Sequence, residues 1–416
     1  MQNKNILVIG EGAREDAIQE TISKSSIPHK IFEYESWMEN WDHHKESFIE
    51  YLKDFNIDLV VIGPEKFLEG GLADLVRSTG IAVVGPSRLA AKLETSKSFT
   101  RELCDKLKIP CPKYDVFKRG EETKMISYIE NNFRMQDKVV FKQSGLCSGK
   151  GVEIIGDRER AINGGIDILG RTREELLVEE CLEGREASFM FLCDGVNAIP
   201  FGVARDYKRL SSDPNSPMTG GMGAFSPVPD VTEDMCQFVR DKMVMPVLED
   251  MQRNGTPFMG FLYVGVMITD NGIKLIEFNA RLGDPEAQAI LPRLKTDFLE
   301  LLYLSSKINK LKDIELEWDE NSCVAVVIAS MGYPLFTDKY NYRYASGFRE
   351  VKNTPNADIF FTGGLLKDKA HIVMGNKRAY TVIALGRDVV HARNAAYENV
   401  AKIKLEGMQY RHDIGL

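Results

Sequence analysis

Histidine is absent from residue 45 through residue 370. The six that occur are His29, His43, His44, His371, His391 and His412, so chemistry in the long middle of the chain cannot use imidazole. Cysteine is sparse and unpatterned. Cys104, Cys111, Cys147, Cys181, Cys193, Cys236 and Cys323 are odd in number and form no C-x-x-C pair, which predicts reduced thiols rather than a disulfide framework or zinc site. No run approaches the roughly 18 consecutive apolar residues of a membrane helix. The start, Met1-Gln2-Asn3-Lys4 followed by the short apolar run Ile6 to Ile9 and then Gly10-Glu11, lacks the apolar stretch of a signal peptide. A cytoplasmic chain without a membrane partner is expected. Basic charge is not in excess either: 53 Lys and Arg stand against 61 Asp and Glu, a net charge of -8, mixed along the chain. With no basic stripe, nucleic acid is not an expected partner. Internal repeats and low-complexity tracts are also missing.

What is present is ordinary globular composition, 44% hydrophobic and 27% charged over 416 residues, which suggests about three domains. Residues 4 to 86 alternate strand and helix patterns: Asn5 to Ile9, a helix from Arg14, Lys30 to Phe32, a helix over Ser47 to Phe55, Asp58 to Ile62, and Ile81 to Val84. That order predicts a parallel sheet. Its strand ends carry Gly10-Glu11-Gly12, Gly63-Pro64-Glu65 and Gly85-Pro86-Ser87, where open α/β sheets place ligands. Gly10-x-Gly12 with Glu33 about 20 residues on invites a nicotinamide or flavin reading, but Glu15 stands where the third glycine belongs. A helical stretch from Ser87 to Leu107 ends at Ile109-Pro110-Cys111-Pro112, a boundary. Beyond it, strands are expected at Val139 to Lys142, Val152 to Ile155 and Leu176 to Glu180. Gly260 to Ile268 and Ile273 to Phe278 flank the hairpin signal Asp270-Asn271-Gly272, and Val324 to Ala329 opens a further β-rich segment.

Four constellations carry chemistry. Lys142 to Val152 packs three glycines and two lysines into a strand-loop-strand flap; its spacing is not that of a Walker A loop, but backbone N–H groups and Lys142 can meet phosphates. The plain alternative is a surface hairpin. Leu177 to Glu186 leads a strand into carboxylates, with Glu179 to Leu182 able to meet an adenine edge and Glu186 a ribose diol, or simply a strand leaving into solvated charge. In Leu275 to Glu286, strand alternation turns Glu277, Asn279 and Arg281 to one face while Ile276 and Phe278 turn to the other. Glu277 and Asn279 offer hard oxygen ligands for a magnesium ion, and Arg281 a bidentate grip on phosphoryl oxygens. Lastly, Arg205 to Arg209 joins a charged cluster to Thr219-Gly220-Gly221-Met222-Gly223-Ala224, whose glycines allow close backbone approach to a small ligand.

In this order the glycine-rich flap, Glu-Glu-x-Leu-x-Gly-x-Glu, Thr-Gly-Gly-Met-Gly-Ala and Glu-Phe-Asn-x-Arg-x-Gly-Asp-Pro-Glu resemble the ATP-grasp ligases and, within them, the glycinamide ribonucleotide synthetase family. The resemblance runs nearly end to end, from Val8-Ile9-Gly10 and Arg14-Glu15 through Thr95-Ser96-Lys97-Ser98-Phe99 and Gly332-Tyr333-Pro334 to Arg411-His412-Asp413-Ile414-Gly415. It implies an α/β and α+β architecture: an ATP-grasp fold behind a Rossmann-like parallel-sheet domain, with a C-terminal β-rich subdomain. The implied division is 1–100 for the N-terminal substrate-binding domain, 101–186 for linker helix and nucleotide lid, 187–317 for the central core and 318–416 for the C-terminal subdomain. The implied reaction phosphorylates glycine with ATP, and the amine of 5-phosphoribosylamine then attacks the acyl phosphate, giving amide, ADP and phosphate. Such chemistry is mostly positioning and charge neutralisation, which needs no histidine.

By the same resemblance, Lys97, Lys142, Ser144, Gly145, Gly149, Lys150, Gly151, Glu179, Glu180, Cys181, Leu182 and Glu186 hold ATP. Glu277 and Asn279 hold magnesium, with manganese as an alternative. Arg281, Lys142 and Asp206 are catalytic. Gly12, Arg14, Glu15, Pro64, Glu65, Asp206, Lys208, Thr219, Gly220, Gly221, Met222, Gly223, Arg281, Asp284 and Glu286 line the substrate pocket. The expected partners are small molecules, and the expected state is a monomer or weak dimer. The chain departs from the family pattern where the sugar phosphate is received: Arg-Glu-His is Arg14-Glu15-Asp16, and the Pro-Gly-Asn-x-Gly loop is Tyr34-Glu35-Ser36-Trp37-Met38-Glu39. Asp-Gly at the flap is Ser144-Gly145, Asp-His-Lys is Asp206-Tyr207-Lys208, and His-Ala-Gly is Phe361-Thr362-Gly363. A divergent ligase acting on a different amine is therefore the alternative expectation.

Overall fold

A computed structural model describes residues 3–134, 136–143, 152–171, 175–335, 342–362, 365–367, 370–374 and 377–416. The N-terminal apolar runs form strands β1 (Lys4–Ile9), β2 (His29–Phe32), β3 (Leu59–Ile62) and β4 (Ala82–Val84), all parallel in the order β2-β1-β3-β4. All four residues of β3, Leu-Val-Val-Ile, are buried, as expected of a parallel strand covered on both faces. Gly10 turns the chain at φ 113° into the helix Ala13–Ser23. Glu15 reaches back to accept the Gly12 N–H at 2.8 Å, so the position of the missing third glycine is filled by a helix-capping carboxylate. The stretch that replaces the family's Pro-Gly-Asn loop folds as the 3-10 helix Ser36–His43, with Met38 and Trp41 buried.

The helical stretch expected from Ser87 to Leu107 is broken at Ser96, between helices Lys92–Thr95 and Lys97–Leu107. Ser96 is in an extended conformation and its side chain accepts the Phe99 N–H at 3.3 Å, so it ends one helix and caps the next. Lys97 thereby falls on the first turn of the second helix. Strands β5 (Tyr114–Phe117), β6 (Val139–Gln143), β7 (Val152–Ile155) and β8 (Leu176–Glu180) form an antiparallel sheet, β5-β8-β6-β7. Phe117, Phe141, Leu176 and Val178 pack on Met125, Ile129 and Ala161 from the helices Glu122–Phe133 and Arg158–Arg171.

The largest layer is antiparallel. Strands β9 (Arg185–Asp194), β10 (Ala198–Asp206), β11 (Gly223–Ser226), β12 (Met259–Thr269), β13 (Gly272–Asn279) and β14 (Ser322–Ala329) continue into the C-terminal segment. There the chain adds β15 (Tyr342–Ser346), β16 (Ala357–Phe361), β17 (Leu365–Lys367), β18 (Ala370–Met374), β19 (Arg378–Gly386) and β20 (Lys404–Leu405). The eight-stranded order is β13-β12-β9-β10-β11-β14-β19-β16, beside a small sheet β17-β18-β15-β20. The β12-β13 hairpin turns at Asn271-Gly272, where Gly272 takes φ 107°. One apolar cluster runs from Leu7 and Phe48 of the N-terminal layer to Phe189 and Leu262 of the large sheet, joining the two layers. Among the described residues no helix is long and apolar enough to cross a membrane.

Candidate functional site

A cavity of about 570 Å³ lies where the parallel sheet's strand ends, the linker helix, the β5–β8 sheet and β13 converge. Gly12, Arg14, Glu15, Pro64 and Glu65 reach it from the N-terminal layer, and Lys97 from the linker helix Lys97–Leu107. Lys142, Glu179, Glu180, Cys181, Leu182 and Glu186 reach it from the lid sheet and its exit. Asp206, Lys208, Thr219, Gly220, Glu277, Asn279, Arg281, Asp284 and Glu286 complete the opposite wall. Ser144, Gly145, Gly149, Lys150 and Gly151 lie outside the described residues.

Alternation along β13 is not regular, contrary to expectation. Gly265 pairs with Glu277 and Val266 with Leu275, so Ile276 is an unopposed bulge residue, and Ile276 and Phe278 also border the cavity. The bulge frees the Ile276 carbonyl, which accepts Arg101 Nη2 at 2.7 Å and Lys142 Nζ at 3.1 Å. Both cations also meet Glu179, Arg101 Nε at 2.5 Å and Lys142 Nζ at 2.8 Å. The three side chains are no more than 6% exposed. Burial disfavours the Glu179 carboxylate, but Lys142 and Arg101 outweigh it and hold it below its ordinary range. Burial pulls the Lys142 ammonium down, with Glu179 opposing. The Glu179 side chain thus ties the helix Lys97–Leu107 to the β5–β8 sheet, and through Arg101 and Lys142 to β13. Glu180 pairs with Lys274 at 2.6 Å, leaving Cys181 and Leu182 as the uncharged part of this wall.

At the end of β13 a second network closes. Arg281 reaches Glu94 at 2.8 Å and Glu65 at 3.3 Å, and Arg14 donates to Glu15 at 2.7 Å and to the Leu282 carbonyl at 3.1 Å. Burial opposes ionisation of Glu65, yet Arg281 and Arg14 lower it to about 2. Burial alone disfavours Glu277 too, but Lys208, Lys142 and Lys97 keep its carboxylate below its usual value. Asn279 Nδ2 donates to Glu277 Oε1 at 3.4 Å, so the two hard-oxygen side chains are neighbours. Lys208 is 3.2 Å from Glu186 and 4.0 Å from Glu277. Burial pushes Asp206 up to about 8, with Lys208 opposing and Glu286, Glu186 and Glu277 adding to it. Four carboxyl groups surrounding one lysine leave this end of the cavity short of positive charge, an environment suited to a cation.

Three residues expected in the substrate pocket are not on its wall. Gly221, Met222 and Gly223 are buried behind it, because the chain turns inward after Thr219-Gly220 to enter β11. Met222 packs with Val327 and Ala329. A Cβ on Gly221 would stand 2.5 Å from Pro285 Cδ, so that glycine permits close approach of two loops rather than of a ligand. Sequence reasoning missed Glu94, Arg101, Tyr263 and Arg378, all on the cavity. Arg101 was legible four residues after Lys97 on one helix face. Tyr263, inside the apolar run of β12, asked for a hydroxyl partner, and Ser188 provides it at 2.8 Å.

This arrangement, two antiparallel sheets closing on a cavity walled by buried lysine, arginine, glutamate and asparagine, defines an ATP-grasp protein. The chain belongs to the phosphoribosylglycinamide synthetase family: the models for its N domain, ATP-grasp (A) domain and C domain match residues 4–94, 95–287 and 323–416. It is 36% identical to the phosphoribosylamine–glycine ligase of Brucella melitensis biotype 1, over 99% of this chain and 97% of that protein. It is 35% identical to that of Caldanaerobacter subterraneus subsp. tengcongensis, over 98% and 99%. The crystal structure of phosphoribosylamine–glycine ligase from Thermotoga maritima superposes with a TM-score of 0.79 at 26% identity, covering 99% of this chain and 100% of that one. The biotin carboxylase domain of Hydrogenobacter thermophilus 2-oxoglutarate carboxylase, at 14% identity and a TM-score of 0.68 over 98% and 91%, shares the fold.

Proposed function

We propose that this chain joins glycine to 5-phosphoribosylamine with cleavage of ATP to ADP and phosphate, giving glycinamide ribonucleotide for purine synthesis. The observation that carries the reading is the set Lys142, Glu277, Asn279 and Arg281 on one cavity, in a chain that matches its relatives over nearly full length. The glycine carboxylate attacks the γ-phosphorus, forming glycyl phosphate and releasing ADP. The amine nitrogen then attacks the acyl carbon, phosphate leaves, and the nitrogen sheds a proton. Lys142, Lys97 and Arg281 offset the charge that gathers on the phosphoryl oxygens. Arg281 exchanges its carboxylate partners for the phosphoryl group. In its ionised form Asp206, which burial pushes up to about 8, takes the proton from the amine.

Among the described residues no cluster of three His, Cys, Asp or Glu side chains forms a metal cage. Two neighbouring hard-oxygen side chains, one a stable carboxylate, fit a magnesium ion that takes its other ligands from phosphates and water. Glu277 and Asn279 would hold it, and it would neutralise triphosphate charge. Manganese satisfies the same donors. The working unit in this reading is a cytoplasmic monomer or weak dimer.

A second reading, a different amine acceptor, is favoured by the 3-10 helix at the cavity's N-terminal rim. There Glu39 accepts the Tyr34 hydroxyl at 2.6 Å and binds Lys66, and all three border the cavity. Release of ADP with glycine and freshly generated 5-phosphoribosylamine separates the two. Turnover with that pair supports the first; turnover only with another amine overturns it in favour of the second.

A further inference from the structure

The cavity walls come almost entirely from residues 10 to 286, yet one guanidinium enters from far down the chain. Arg378, the first residue of β19, donates through Nη1 to the Gly220 carbonyl at 2.7 Å, the Gly221 carbonyl at 3.4 Å and the Asp284 carbonyl at 2.7 Å. Its Nη2 meets Asp284 Oδ2 at 2.7 Å, and Gln288 Nε2 donates to Asp284 Oδ1 at 2.7 Å, so both oxygens of that carboxylate are engaged. Tyr333, after β14, accepts the Gly220 N–H at 3.1 Å. The two sides of Gly220 are therefore gripped by two C-terminal residues. The root of the grip is fixed as well: beside it Ser330 N donates to the Lys377 carbonyl at 2.9 Å, and Lys377 N donates to the Ser330 side-chain Oγ at 2.9 Å.

We infer that Arg378 and Tyr333 form a clamp that positions the Thr219-Gly220 turn and Asp284 as the wall of the amino-acid and amine subsite, making them positioning residues of the reaction. The physical grounds are directional. A planar guanidinium offers donors in a fixed fork, so it sets the separation of two loops, whereas a point charge would not. Burial opposes its charge, but Asp284 raises the Arg378 pKa, so the fork stays charged. Lys142, Glu179 and Ile276, by contrast, are tied to the linker helix and lid and have no bond to the clamp among the described residues. Loosening the clamp should disturb one end of the cavity and spare the other.

The inference rests on the proposed function for the identity of the substrates, and its test keeps the two apart. Arg378→Lys, Arg378→Ala and Tyr333→Phe are compared with the wild-type chain in ADP release and in nucleotide titration without acceptor. KM for glycine and for 5-phosphoribosylamine should rise about tenfold or more in Arg378→Lys and less in Tyr333→Phe, because misplacing a substrate wall by a fraction of an ångström weakens alignment. The ATP dissociation constant should stay within about twofold, as expected for separated sites. Guanidinium ion should restore part of the Arg378→Ala loss, and amide hydrogen exchange of the segment 218–222 should quicken in every variant. Parallel loss of ATP affinity and glycine affinity, with no rescue, would make Arg378 a general stabiliser and overturn the inference. So would unchanged exchange over 218–222. If the wild-type chain releases no ADP with this substrate pair, the proposed function fails while the exchange measurement still judges the clamp.

Discussion

Replacing Glu179 by glutamine removes the carboxylate that Arg101 and Lys142 share, and the consequence can be worked from burial. Arg101 and Glu179 side chains are each 2% exposed and Lys142 is 6% exposed, so water cannot substitute for the lost charge. Removing one partner of a buried ion pair costs about 3–5 kcal/mol, since the remaining cation keeps its desolvation penalty. Here two cations are stranded, but the glutamine oxygen and the Ile276 carbonyl still accept from them, which places the expected loss near the low end, about 3 kcal/mol. For cooperative units of 150–250 residues this corresponds to a fall in Tm on the order of 10 °C. Glu179 has a lowered pKa in the folded chain. Its stabilisation is present above the ordinary carboxylate value and lost as pH falls through the lowered one, so the deficit of the variant should shrink in acid. On the proposed function a triphosphate brings anionic oxygens to Lys142. Magnesium ATP should therefore raise the Tm of Glu179→Gln by more than it raises that of the wild-type chain. Differential scanning fluorimetry across ATP concentration and pH measures all of this, with Glu180→Gln, at a more open pair, as the control. An unchanged Tm without nucleotide would refute the stabilising role of the triad, and an equal or smaller response to ATP would refute the meeting of Lys142 with phosphate.

Glu277→Gln should lower turnover on the order of a hundredfold with little change in Tm, because on the proposed function it weakens a magnesium ligand at a site that is not apolar core; near-normal rates across a magnesium titration would remove that proposed role. Asp16 is raised from 3.8 to about 6, first by burial, with the Phe361 N–H opposing. The folded state then holds this proton more tightly, so the Asp16 contribution to stability falls as pH rises from about 4 through 6, by at most about 3 kcal/mol. Denaturant unfolding should find Asp16→Asn more stable than wild type at pH 7.5 and level with it near pH 4, and a constant difference across that range would contradict the burial argument. Gly221→Ala forces a side chain into φ +109° and against Pro285, so it should cost about 1–3 kcal/mol from the backbone alone and raise KM for glycine; an unperturbed variant by calorimetry and kinetics would show that the two loops are free to part.

Local pattern disclosed most of what is local. Short apolar runs ended by glycine gave the parallel sheet, Asn271-Gly272 gave the hairpin, and the Glu-x-Asn-x-Arg motif meets on one cavity, Glu277 and Asn279 from β13 and Arg281 from the turn past its end. The pattern misled where a single backbone event intervenes. The bulge at Ile276 is silent in residue type because it is decided by pairing with β12, and the break at Ser96 is set by one capping hydroxyl. Glu179 reads as an exposed carboxylate at a strand end, and only its distant partners Arg101 and Lys142 turn it into a buried tie. Arg378 had no motif at all. It acts on Gly220 and Asp284 across 158 and 94 residues of sequence, and such encounters are fixed by tertiary geometry alone.

The eight-stranded sheet begins at β13, which carries Glu277 and Asn279, and ends in strands made from the last quarter of the chain. During synthesis, which proceeds from the N-terminus, Lys97, Lys142, Glu277, Asn279 and Arg281 emerge well before β14 and β19. If the emerged part folds first, its proposed nucleotide end would stand while the wall at Gly220 and Asp284 still lacked its clamp. An unfinished molecule would then hold ATP without an ordered place for the groups that receive the phosphoryl and acyl transfers. The order of translation itself would withhold ligation until the protein is whole.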